Sequence, residues 1–240
     1  MVTIDVLRFT AALSVLAFAA ITDLTWRRAP DAAWWVLAGV GAVLLSWQAL
    51  AEPEVLREMA PLLIIPAVLL LVAWVGYLTG FIGGGADAKA IMALAVLAPL
   101  PLDPAWTVPW QGPFPLVLTM LMNGLFAALA VPLFLATTNL ARGQLAGWIT
   151  FLAFPVAVER LDYRVVWPLE YVDEDGELVR TYSPKRVPIE GSEPEDYQAA
   201  GIETVWVTPK VPFLVPLFVG VAITAFLGDP LAAALEAWLA

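Results

Sequence analysis

The strongest constraint in this sequence is a succession of long apolar stretches. Crossing roughly 30 Å of hydrocarbon takes about 20 mainly apolar residues in a helix, because irregular backbone in lipid leaves amides and carbonyls without partners. Residues 4–22, 32–51, 61–82, 88–102, 113–137 and 211–227 meet or approach that requirement. The fourth is short unless it begins in the Gly83-Gly84-Gly85 turn or is shielded inside a bundle. A further apolar stretch, 144–156, is too short to span and reads as an interfacial or half-inserted helix. The chain is 61% hydrophobic and 14% charged, whereas a soluble domain averages about 45–50% apolar and about 25% charged. The expected architecture is an all-α polytopic membrane protein of about six transmembrane helices.

The first stretch is not read as a cleaved signal peptide, despite Ala17-Phe18-Ala19, because Asp5 offsets Arg8 and further spans follow at once. Basic residues orient the bundle. Arg27, Arg28, Lys89 and Arg142 fall on one side and Arg57 on the other, which puts the Arg27 loop in the cytoplasm and the N-terminus outside. One segment does not belong in lipid: 158–210 holds twelve acidic and six basic residues. It reads as a small, mainly β, water-facing insert before the last helix. Arg164 to Val172 and Leu178 to Tyr182 pair as a hairpin around Asp173-Glu174-Asp175-Gly176, and Thr204 to Thr208 forms another strand. The resulting division is a transmembrane bundle over 1–157, the insert over 158–210, and the last span with a tail over 211–240. No internal repeat is visible, so an inverted-repeat transporter gains no support.

A net charge of −10 disfavours nucleic-acid binding, which needs bases to neutralise phosphates. Zero Cys and zero His remove thiolate catalysis, the commonest general base and the commonest metal ligands, so neither a metal nor a cofactor is expected. Nine Arg and three Lys on an acidic chain suit a protein living in high salt, and a halophilic source is expected.

Chemistry must then rest on carboxylates. Asp23 ends the first span and Asp87 opens the fourth; the chain crosses twice between them, so both return to one membrane face in either orientation. Two carboxyls sharing a site cannot both ionise cheaply, so the pair holds an acid and a base together at neutral pH. Singly, each Asp has an ordinary structural use: Asp87 as a helix cap, Asp23 as an interfacial partner of Arg27 or Arg28. The triple glycine shifts the balance, because backbone without Cβ lets a second chain approach. Lys89 either tunes the pair or faces headgroups. Asn123 sits mid-span and suits an interhelical hydrogen bond. Trp34, Trp35, Trp47, Trp74, Tyr77, Trp106 and Trp110 read as interfacial anchors, and Asp5, Asp31 and Asp229 as solvated termini or loops.

At Asp23, Arg27, Arg28 and Pro30, and at Gly84, Gly85, Ala86, Asp87 and Lys89, the sequence resembles the archaeal preflagellin peptidases, part of the type IV prepilin peptidase family of GxGD-type membrane aspartic proteases. Ala86 departs from the motif's second Gly. The junction from Trp206 to Phe213 also resembles the archaeal branch. The resemblance implies Asp23 and Asp87 as catalytic, with Gly84, Gly85, Lys89, Arg27 and Arg28 in support. It implies removal of a short basic leader from archaellin or pilin-like precursors at the cytoplasmic face of the cell membrane, with the acidic insert within reach of that leader. The zinc loop and methyltransferase of bacterial relatives are not carried over to a chain without Cys. A multi-span proton-coupled transporter using the same two Asp is the alternative; it places its acids near the midplane rather than at span ends.

Overall fold

The computed structural model describes residues 2–82 and 84–239; Gly83 of the glycine turn lies outside the described residues. Helix α1 (Val2–Trp26) runs four residues past the expected span end, placing Asp23 inside its last turn. Nothing in Asp23-Leu24-Thr25-Trp26 breaks a helix, and Thr25 folds its hydroxyl back onto the Ile21 carbonyl at 2.8 Å. The stop comes at Arg27, which takes a left-handed φ of 55° while its N–H donates to the Asp23 carbonyl. Pro30 then precedes α2 (Asp31–Ala51), and Asp31 complements the positive end of that helix.

The third expected span starts earlier than its apolar run. A short α3 (Pro53–Met59) passes through a 3-10 turn at Ala60–Leu63 into α4 (Ile64–Leu78). The fourth is shorter than expected: α5 (Gly85–Leu97) has 13 residues, and 98–102 leave the helix to bridge Pro101 with Pro115. At about 20 Å such a helix cannot cross unaided. The fifth breaks at Leu129 into α6 (Leu116–Ala128) and α7 (Ala130–Ala141). Among the described residues four helical stretches, Ile4–Trp26, Asp31–Ala51, Pro53–Leu78 and Leu116–Ala141, are long and apolar enough to cross a membrane. The chain divides into two compact units, Met1–Ala128 with Pro212–Ala240, and Leu129–Val211.

In the first unit a stripe of Ala12, Leu16 and Ala19 on α1 is buried, following the helical period. Against it pack Leu37 on α2, Leu94 and Leu97 on α5, Met120 on α6, and Leu217 and Val221 on α10 (Leu214–Leu227). Phe18, Ile21, Val43 and Leu71 face outward, as they do on helices whose solvent is lipid. Small residues set the closest approaches: a Cβ at Gly220 of α10 would sit 2.6 Å from the Gly124 Cα of α6. Asn123 makes the interhelical bonds expected of it, donating to Thr224 Oγ1 at 3.0 Å and to the Gly228 carbonyl at 3.1 Å.

Two acids read as solvated are not. Asp5 is 3% exposed and pairs with Arg8, itself 1% exposed, at 2.9 Å. Asp229 is buried, accepting from Thr119 Oγ1 and from the Ala232 N–H at the start of the last helix (Pro230–Leu239), which replaces the expected tail. Asp31 is exposed, as read, and pairs with Lys89 at the surface. Trp34 is buried too, whereas its neighbour Trp35 points outward as an anchor does.

In the second unit, 144–156 does not form one helix. It holds α8 (Ile149–Leu152) and the start of β1 (Phe154–Ala157), because Gly147 adopts a positive φ and Pro155 lacks a donor. Buried Asn139 of α7 takes up the Thr150 and Ala153 carbonyls that this leaves over. The three-stranded antiparallel sheet has β5 (Thr204–Pro209) in the centre, between β1 and β2 (Val166–Pro168). The hairpin is shorter than expected. Only β3 (Glu170–Val172) pairs with β4 (Leu178–Arg180), since β2 is claimed by β5 and the Leu169 N–H donates to the Trp206 carbonyl. Buried Glu170 ties the two sheets: Oε1 accepts from Arg180 Nε at 2.6 Å and Oε2 from the Trp206 N–H at 2.7 Å. Tyr197, on the short helix α9 (Pro194–Ala199), closes this core by donating its hydroxyl to the Glu170 carbonyl.

Two phenols of this unit hold their protons tightly. Burial, then Glu193, Glu195 and Asp196, push Tyr163 up to about 12. Burial, then Tyr163, Glu170 and Asp196, also raise Tyr197. Because the folded state binds these protons more tightly than the unfolded chain, their stabilisation is intact below about pH 10 and fades as pH climbs through the raised values. A tyrosinate absorbance titration is expected to leave Tyr163 and Tyr197, a fraction worth two phenols, unionised at about pH 11. Tyr163→Phe and Tyr197→Phe should each remove half of that fraction; loss of neither would refute the assignment.

Candidate active site

The two Asp enter from different helices at one end of the first unit. Asp23 projects from the last turn of α1, half-buried. Asp87 is the third residue of α5, and it does not cap that helix: Gly84 holds the N-cap position, and no side chain bonds the free amides there. Helix α1 packs directly on α5, and the Asp23 charge acts on the Asp87 carboxyl through space. Arg27 is near enough for its charge to reach Asp23. Among the described residues neither carboxyl is committed to a hydrogen bond or an ion pair. Two carboxyls in mutual electrostatic range, with their oxygens unspent, can divide acid and base roles between them.

The glycines have a steric reason. The Asp87 carboxyl folds back over the Gly84 Cα, where a Cβ would come within 2.8 Å of Asp87 Cγ. Gly85 abuts the Tyr77 ring of α4, where a Cβ would lie 3.2 Å from its edge. Ala86 points elsewhere, onto the helical core, so the methyl that departs from the motif has a place to go. Of the other candidates, Lys89 donates to Asp31 Oδ1 at 2.7 Å, tying the start of α5 to the start of α2. Lys89 is therefore a strut between helices. Arg28 is exposed in the α1–α2 connection. Tyr77 and Trp34 were read only as anchors. Tyr77 is exposed and also lies against Gly85, whereas Trp34 places a buried indole N–H, without an acceptor among the described residues, on the first turn of α2. A doubled Trp with one face inward was the available signal. Among the described residues no group of three or more acidic side chains is gathered as a metal site.

Residues 147–230 match the family model described as Archaeal Peptidase A24 C-terminus Type II. Over 232 residues the chain is 26% identical to a preflagellin peptidase of Methanococcus voltae, covering 89% of this chain and 92% of that protein. It is 22% identical over 223 residues to a preflagellin peptidase of Methanocaldococcus jannaschii, covering 89% and 91%. Over residues 147–230 the chain is thus similar to the C-terminal part of archaeal A24 peptidases, and over about nine-tenths of its length it is similar to two preflagellin peptidases.

Proposed function

We propose that the protein is a membrane aspartic endopeptidase that removes the short basic leader from archaellin or type IV pilin-like precursors, with Asp23 and Asp87 as its catalytic pair. The observation that carries this reading is the pairing itself: two uncommitted carboxyls from α1 and α5 acting on each other at one end of the helical unit. The names of the two relatives supply the substrate class. The ionised carboxyl takes a proton from water as its oxygen adds to the scissile carbonyl, and the protonated partner gives its proton to the carbonyl oxygen. Collapse of the tetrahedral intermediate then returns a proton to the departing amine. The excess of Arg and Lys in the loops on that side supports a site at the cytoplasmic face. There the precursor's apolar helix stays in the bilayer and its leader lies in water.

Co-expression with a candidate precursor in high salt tests the assignment. Wild type is expected to yield one product, shortened by the leader and visible as a mobility shift. A precursor left whole, in membranes that contain the inserted protein, counts against it.

Gly84 gives a second test. Gly84→Ala drives a methyl into the Asp87 carboxyl and is expected to slow leader removal about 10 to 100-fold, because misplacing a reacting group by an ångström costs on that order. Ala86→Gly, which restores the motif, should leave the rate within about twofold. Equal rates for Gly84→Ala and wild type would remove the steric argument.

A further inference from the structure

Helix α7 ends by a defined stop. Gly143 takes a left-handed φ of 68°. Its N–H donates to the Leu140 carbonyl at 3.1 Å and the Gln144 N–H to the Asn139 carbonyl at 2.9 Å, the pair of bonds that closes a helix and turns its chain aside. The chain then returns alongside α7, because the buried Asn139 amide donates to the Thr150 and Ala153 carbonyls at 2.8 and 2.7 Å. Asn139 is two residues from the end of α7, about 3 Å along the axis. Residues 150–153 therefore lie level with the last turn of Leu116–Ala141, a stretch with the length and composition of a membrane span.

At that level the chain shows two apolar faces. Ile149, 1% exposed, and Ala153 pack inward with Leu169, and the Thr150 hydroxyl accepts from the Ala146 N–H at 2.9 Å. Leu145, Trp148, Phe151 and Leu152 are exposed instead, Trp148 to 78%, with its ring 6.1 Å from that of Phe151. Large apolar side chains grouped on a surface mark a contact with something other than water. Charge and continuity identify it. Between Ala130 and Ala157 the one charged residue is Arg142, whereas acids crowd into 158–210. The change from apolar to charged surface thus falls near residue 158, well after the helix of the span has stopped, and up to there the surface continues the exposed Leu133, Phe134 and Leu140 of α7. The far end of the sheet leads to the same place. Thr208 donates its hydroxyl to the Leu152 carbonyl at 2.8 Å, and β5 ends one residue later, where the chain runs on into the apolar helix α10. A Trp-bearing apolar shelf level with the end of a span suits the boundary between headgroups and acyl chains.

We propose that Leu145, Trp148, Phe151 and Leu152 lie in the headgroup–acyl boundary of the leaflet in which α7 ends, and that this shelf seats the three-stranded sheet on the bilayer surface. The long interfacial helix expected over 144–156 is replaced by a turn and a four-residue helix whose inner face carries the sheet and whose outer face meets lipid. The proposal is independent of the peptidase reading, because no catalytic group takes part. The chain contains no Cys, so single cysteines can carry a nitroxide spin label without competition. Trp148→Cys and Phe151→Cys place the label on the shelf, and Ile189→Cys places it on an exposed site of the same unit outside the shelf. All three side chains are exposed, so the replacements leave the core intact.

The measurement is electron paramagnetic resonance power saturation of the full-length protein in phosphatidylcholine nanodiscs, with oxygen as the lipid-soluble relaxant and a nickel chelate as the water-soluble one. Labels at 148 and 151 are expected to collide with oxygen in preference to nickel, at a depth of about 5–10 Å, and the label at 189 to show the reverse preference. Nickel collisions at 148 and 151 equal to those at 189 overturn the proposal, because the shelf then faces water. Shielding from both relaxants also overturns it, because the cover is then protein, whether a second copy of the chain or another partner. A depth of about 15 Å, at the middle of the hydrocarbon, would make the segment an inserted one and overturn its placement at the boundary.

Discussion

Asp23→Asn and Asp87→Asn are each expected to reduce leader removal about a thousandfold or more, and the double variant to be no worse than either alone. The amide keeps the shape of the carboxyl but neither takes a proton from water nor cycles between acid and base. Non-additivity is the informative part: two groups that work as one machine lose most of the rate with the first removal. Stability should stay within about 0.5 kcal/mol of wild type, because neither carboxyl is committed to a partner among the described residues. The measurement is the initial rate of precursor cleavage in reconstituted vesicles, beside the fluorescence unfolding transition of each variant. Full processing by either single variant ends the assignment. A variant that loses proton flux but was never able to cut a precursor would mark the chain as a proton-coupled carrier.

The second large effect is on folding and lies at the opposite end of α1. Arg8→Leu is expected to cost about 3–5 kcal/mol, because it strands the buried Asp5 carboxylate without its counter-charge. The loss would appear as an earlier unfolding transition in mild detergent. Adding Asp5→Leu to Arg8→Leu should recover most of it, since two apolar side chains replace an ion pair whose desolvation nearly offsets its attraction. The recovery is partial, because Asp5 Oδ2 also holds the Asp103 N–H. A single variant as stable as wild type would mean that Arg8 reaches water.

These two regions differ in how far the sequence exposed them. The Asp23 and Asp87 contexts were legible because helical spans have a fixed length: counting crossings puts both acids on one face before any contact is known. The role of Gly84 was half legible. Its lack of a side chain is in the sequence, but the folding back of Asp87 onto it is a matter of one rotamer. The Asp5–Arg8 pair was misread as a solvated terminus because a charge near a chain end looks the same whether water or a loop covers it. What covers it here is 98–104, ninety residues away, and no local pattern announces that. The boundaries at 144–156 failed for a related reason. An apolar run that ends on β5 and one that lies in a membrane interface have the same composition, and Gly147 and Pro155 were the only local warnings. The hairpin was right in its turn and too long in its first arm, because competition from β5 for Val166–Pro168 is nonlocal.

Helix α2 carries neither acid, yet it packs on both helices that do. Near its start it grips α5 through Asp31 and Lys89. Midway, the two backbones touch, since a Cβ at Gly41 would lie 2.6 Å from the Leu97 N. Helix α2 thus serves as the jig in which the two carboxyls are set. The gap between them is a dimension of the scaffold, adjustable from positions that never meet a substrate. A chain of this kind can be retuned, or disabled, by the width of one methyl group a whole helix away from its chemistry.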